Sequence, residues 1–203
     1  MKTIQKKLKL WLSGCALGVA GLSVSAPVWA EEGYAGGNIA ISNVTADLGV
    51  FSLIETSVDM TRVGANFFYN NEGDKMLSAD IQVNRKGLTT NNNLEFGVKA
   101  KAFYLTQDAL KDNGYGLMLG LTGRFWLPTE MPAGVFVEAL HSPQIITGGN
   151  TEAVTDMLVR AEVRILPKVN VFLGYRLLSV DFSQVKDSYE FDSNAHIGVE
   201  VGF

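Results

Sequence analysis

The last nine residues alternate without a break. Ala195, Ile197, Val199, Val201 and Phe203 occupy one parity, and His196, Gly198, Glu200 and Gly202 the other. In an extended strand the two parities point to opposite faces, so one face meets something apolar and the other something polar. The same two-residue period runs back through the chain. Val171, Leu173, Tyr175 and Leu177 alternate with Asn170, Phe172, Gly174 and Arg176, and Met157, Val159, Ala161, Val163 and Ile165 with Asp156, Leu158, Arg160, Glu162 and Arg164. A soluble sandwich alternates too, but its strands average about 5–6 residues. The longer runs here suit strands that cross a hydrocarbon layer at a tilt.

The alternation predicts strands over 38–42, 45–54, 58–69, 76–85, 94–105, 115–126, 134–141, 153–166, 169–182 and 195–203. The expected fold is all-β, a transmembrane antiparallel β-barrel of ten strands, or eight if the weak N-terminal run stays out of the wall. Short connections at 54–57, 127–133 (with Pro128 and Pro132) and 167–168 alternate with more polar ones at 70–75, 106–113, 142–151 and 183–193. That is the asymmetry of a barrel with tight inner turns and longer outer loops. The segment 86–93 is long for an inner turn. On the apolar parity Tyr69, Tyr104 and Tyr115 fall at the outer strand ends, and Phe96, Phe125 and Phe203 at the inner ends. These are the positions of interfacial aromatic girdles.

Residues 1–30 read differently. Lys2, Lys6, Lys7 and Lys9 precede an apolar stretch from Leu10 to Val24, and Val28-Trp29-Ala30 suits a signal peptidase. The expectation is a cleaved signal peptide over 1–30 and a barrel domain over 31–203. Leu12-Ser13-Gly14-Cys15 matches a lipoprotein box, but only Leu10, Trp11 and the box's own Leu12 follow the basic head before Ser13, and the apolar run continues past Cys15. Ordinary cleavage is therefore expected. It removes the only cysteine and four of the 17 basic residues, leaving 13 against 21 acidic ones, a net charge of −8. Such a chain forms no disulfide and does not seek nucleic acid.

The terminal Ile197, Val199, Val201 and Phe203 form an expected assembly signal, a one-sidedly apolar strand that a barrel-assembly machinery captures at a sheet edge. Shorter motifs add a resemblance. Glu138-Ala139-Leu140-His141-Ser142-Pro143 is similar to an E-x-x-x-S-P element of the YfaZ-type outer-membrane proteins, and Gly174-Tyr175-Arg176-Leu177-Leu178 to their G-Y-R-x-L strand. The Asn-rich hairpin from Tyr69 to Asp74 and the terminal Phe203 also correspond. The resemblance implies a small barrel in a Gram-negative outer membrane, without an established activity.

The parity opposite the apolar one gives an expected lumen charge network. Its basic members are Arg62, Lys99, Lys101, Arg124, Arg160, Arg164 and Arg176, and its acidic members Asp80, Glu95, Glu138, Asp156, Glu162 and Glu200, with His196 among them. Seven cations against six anions inside a narrow barrel predict pairing that fills the interior in place of an apolar core. The alternative is a narrow channel lined by the same groups. A hydrolase acting on lipid or lipopolysaccharide is a second alternative, but only His141 and His196 are available, and His141 and Ser142, as strand neighbours, face opposite ways. Neither zinc spacing nor an EF-hand is present, and Gly36-Gly37 and Gly148-Gly149 read as turns. No catalytic residue, metal or cofactor is expected. The expected partners are outer-membrane lipid, lipopolysaccharide and the assembly machinery, and the outer loops are where surface contacts belong.

Overall fold

A computed structural model of the protein describes residues 32–87, 93–109, 111–183 and 188–203. The signal peptide expected over 1–30 lies outside these residues, as do parts of the segments 86–93 and 183–193. Ten strands close into an antiparallel ring: β1 (Glu32–Ile41), β2 (Thr45–Glu55), β3 (Asp59–Asn70), β4 (Lys75–Arg85), β5 (Leu94–Gln107), β6 (Asp112–Leu127), β7 (Ala133–Ser142), β9 (Thr151–Leu166), β10 (Val169–Phe182) and β11 (Tyr189–Gly202). Between β7 and β9 a short 3-10 turn, Gln144–Ile146, leads into a three-residue strand, β8 (Thr147–Gly149), which pairs with the loop end of β6 and is not part of the ring. The ring closes where β1 meets β11, from Gly36 opposite Gly202 to Ile41 opposite Ile197.

Ten strands, and not eight, therefore make the wall. The first strand begins six residues earlier than the alternation indicates, and it pairs with both neighbours. Gly36 and Gly37 lie inside it and make no turn. They are seam residues. A Cβ on Gly36 would lie 2.3 Å from the Phe51 ring and 2.5 Å from the Val201 carbonyl. Gly198 bears Phe172 in the same way, and Gly202 bears Tyr34. Aromatic rings thus cover the glycines at the seam, where larger side chains would push the strands apart.

Burial follows the predicted parity. Along β4 it alternates at every residue, with Met76, Ser78, Asp80, Gln82 and Asn84 inward and Leu77, Ala79, Ile81 and Val83 outward. All six predicted girdle aromatics are exposed on the outward face. Turns are set by small polar residues. Ser42 Oγ accepts the backbone N–H of Val44 and Thr45, and Thr56 Oγ1 does the same for Val58 and Asp59. The contrast in connection length is weaker than the sequence suggests, because strands run on into the loops. The end bearing residues 42–44 and 71–74, here called the loop end, has some connections as short as those of the opposite turn end, where the chain enters β1 and leaves β11.

Gly36→Val is expected to abolish the compact, heat-modifiable species on unheated denaturing gels. Gly33→Ala, whose Cβ would meet nothing closer than 3.5 Å, is expected to leave it intact.

Candidate functional site

Inward positions of ten converging strands meet inside the barrel, and the lumen they fill is layered. Towards the loop end lies an apolar layer that the charge count did not anticipate. It comprises Phe68, Met76, Phe103, Leu105, Met118, Leu140, Val154, Leu178, Val180, Phe182 and Phe191, all buried. Charge pairs thus share the interior with an apolar core and do not replace one. The core was readable on the inward parity. Phe191 was not, because a bulge between β10 and β11 at Leu178/Ser179 puts Phe191 and Asp192 both inward.

Below this layer the charges pair across the lumen. Asp156 on β9 is 1% exposed. It accepts from Arg176 of β10 through Nε at 2.9 Å and Nη2 at 2.8 Å, and from Lys101 of β5 at 2.7 Å. Arg176 Nη1 also donates to Asp47 of β2, at 3.1 Å. Glu138 accepts from Lys99 at 2.9 Å and from Lys101 at 3.5 Å, and Lys99 lies 3.7 Å from Asp80. Arg62 reaches Glu200 at 3.1 Å. Nearer the turn end, Arg124 Nε is 2.6 Å from Glu162, off the hydrogen-bond axis, so this contact is electrostatic. Glu95 takes the Trp126 indole N–H at 3.1 Å and lies 3.4 Å from Arg124. The Arg160 guanidinium sits between the rings of Phe136 and Phe172, 4.7 Å from each, while its Nε donates to Glu162 at 3.1 Å. Each such cation–ring contact contributes about 0.5–2 kcal/mol.

The structure therefore brings together most of the predicted charges and adds two acids, Asp47 and Asp192. Arg164 is an exception. It is exposed near the turn end, where it lies over Trp126 and donates to Asn170 at 3.4 Å. His196 is buried against Phe172, and its ring occupies the space left by Gly174. His141 is on the outward face, 3.1 Å from Thr155 Oγ1, while Ser142 is buried on the inward face, so the two do not meet. Ile197 and Val201 are exposed and Val199 half-buried, and Phe203 stands outward at the strand end with its N–H bonded to Ala35 O. Among the described residues no group of three or more His, Cys, Asp or Glu is placed to hold a metal ion.

Two cavities stand out among the described residues. One, of about 100 Å³, lies among the charges, bordered by Asn38, Asp47, Asn66, Arg160, Arg176 and His196. At ~30 Å³ per water it has room for a few water molecules. The other, of about 290 Å³, is a notch at the loop end between the β2–β3 side and β11. Thr45 and Asp192 line both.

Comparison with known proteins agrees with the resemblance drawn from the motifs. A family model described as YfaZ precursor matches residues 14–203, and the chain belongs to that family. No curated protein matches it. Among solved structures a bacterial polysaccharide outer membrane secretin is similar, with 8% identity and a TM-score of 0.46, over 84% of this chain and 65% of that one.

Asp156→Ala is expected to destabilise the folded barrel by about 3–5 kcal/mol, since it leaves Arg176 and Lys101 buried without their shared counter-ion. Urea titration in detergent measures this. Adding Lys101→Met is expected to recover part of the loss.

Proposed function

We propose that this YfaZ-family barrel resides in the bacterial outer membrane and acts as a closed, non-enzymatic scaffold of structural or surface-interaction type. The observation that carries this reading is the layered lumen. An apolar layer stands across the loop half, and beneath it cations and carboxylates are joined to one another across the barrel. Ions crossing it would have to shed water into hydrocarbon-like packing and then displace paired groups, and both steps are costly.

The outward face supports the membrane location. Large apolar side chains cover it from Leu48 and Val50 on β2 to Ile197 and Val201 on β11, with aromatics near both ends. A hydrocarbon layer would take up this surface, and a ring with no free edge satisfies the backbone there. Outer-membrane lipid and lipopolysaccharide are then the immediate surroundings. In this reading the exposed Phe203 and the outward residues of β11 serve barrel assembly.

The narrow-channel alternative calls for charges that segregate by sign along a water path, and the pairs here mix the signs at each level. A hydrolase calls for a histidine beside a nucleophile and a carboxylate. His141 contacts the Thr155 hydroxyl on the outward face and His196 packs on the Phe172 ring, and among the described residues neither ring has a carboxylate as a hydrogen-bond partner.

Planar-bilayer recording of the refolded protein, with insertion confirmed by protease protection, is expected to show no discrete conductance. Steady openings whose charge selectivity changes in Lys99→Glu or Arg160→Glu would make the protein a channel and overturn the reading.

A further inference from the structure

The wall of the barrel is not of even height. β1 ends at Ile41, opposite Ile197, and the three residues 42–44 turn the chain into β2. β11, by contrast, continues past that point to Tyr189, and among the described residues its ladder partner from His196 to Tyr189 is β10. A stretch of β11 above the β1–β2 hairpin therefore presents an open strand edge, and the notch of about 290 Å³ lies against it. The notch has Thr45, Asn70 and Glu72 on one bank and Glu190, Asp192 and Asn194 on the other.

Backbone direction along β11 tells which groups face the notch. The N–H of Gly202 points to β10, where it meets Lys168 O, and that of Phe203 points to β1, where it meets Ala35 O. Odd-numbered residues below the bulge thus face the β1 side, and Ser193 carries its N–H and C=O into the notch. At the bulge the Phe191 carbonyl also faces that way. It accepts a bond from the Asn70 side chain at 3.2 Å, a lone side chain standing where a strand would be.

An unpaired edge is a template for another strand, and this one lies beyond the apolar alternation, which ends at Ala195. It is therefore at the level of water and headgroups, not hydrocarbon. Among the described residues the lining of the notch includes three carboxylates, Glu72, Glu190 and Asp192, and no lysine, arginine or histidine. We infer that the notch is a docking site for an extended, basic segment of another polypeptide, which adds to the free edge of β11 as a strand. Backbone pairing supplies the geometry, and the carboxylates select for cationic side chains. The inference rests on the surface-interaction reading above and gives that reading a location and a partner chemistry.

The test uses the full barrel refolded in detergent and a fluorescent octapeptide of alternating lysine and valine, followed by anisotropy. Two further peptides accompany it, one with glutamate for lysine and one N-methylated at alternate residues so that it cannot pair as a strand. The basic peptide is expected to bind at least about tenfold more tightly than either of them. Ser193→Pro, which removes the notch-facing N–H and spares the β10 ladder, is expected to weaken binding by a similar factor, and exposed Glu190→Lys by a smaller one. Absence of binding, equal binding of the acidic peptide or equal binding of the N-methylated peptide would each overturn the inference. If Ser193→Pro fails to fold, the N-methylated peptide on the unaltered barrel decides. A failure of binding in a barrel that stays silent in bilayers removes the edge site alone and leaves the closed-barrel reading in place.

Discussion

Asp156, buried on the inward face, accepts three hydrogen bonds from cationic side chains, and the interior of the barrel is organised around it. Arg176 approaches through two nitrogens in a fixed fork, and Lys101 comes from the opposite wall. Through Arg176 the connection continues to Asp47, and through Lys101 to Glu138 and Lys99. The consecutive strands β7, β9 and β10 are thereby tied across the lumen to β2 and β5, which are not their neighbours in the ring. Burying these charges is unfavourable one by one, and it becomes tolerable because the most enclosed carboxylates, Asp156 and Glu138, each have more than one donor. An apolar outward face leaves the lumen as the place for charged side chains along the middle of the strands, so pairing there is a condition of closing the barrel.

The apolar layer towards the loop end makes a different contribution. Its side chains need no hydrogen-bonding partners, and they come from inward positions of β3 to β7 and β9 to β11. Phe68 joins the two regimes, since its ring lies 5.2 Å from the Arg176 guanidinium while its body belongs to the apolar cluster. Nearer the turn end a smaller group, Phe51, Leu53 and Met60 with Tyr34 beside them, repeats the arrangement, with Arg62 over the Phe51 ring at 4.2 Å. Polar and apolar packing therefore alternate along the axis, and cations on aromatic faces join the layers.

Much of this was legible in the sequence, because a strict two-residue period assigns every side chain to a face. The ten strands, the outward girdles from Tyr69 to Phe203 and the inward charges of β4, β5 and β9 all follow from it. Four features escaped. The bulge near Phe191 breaks the period, so the inward placement of both Phe191 and Asp192 depends on pairing with β10 and not on spacing. The glycines of β1 look like a turn in isolation, and only their closeness to Phe51 and Val201 shows why a strand needs them. The notch was invisible, because it arises from the relative heights of β1 and β11, which the register across the seam fixes. Arg164 has the inward parity but lies too near the strand end to be enclosed.

The central claim is that the two parities face lipid and a closed interior. A single-cysteine scan along β4 in a Cys15→Ser background tests it most directly, with the protein in vesicles that contain brominated lipid. Fluorophores at Leu77, Ala79, Ile81 and Val83 are predicted to be quenched by the lipid. Cysteines at Ser78, Asp80, Gln82 and Asn84 are predicted to escape both that quenching and modification by a membrane-impermeant thiol reagent. Rapid aqueous labelling at the inward positions would show a water-filled lumen, and quenching without a two-residue period would show that the strand does not form the wall described.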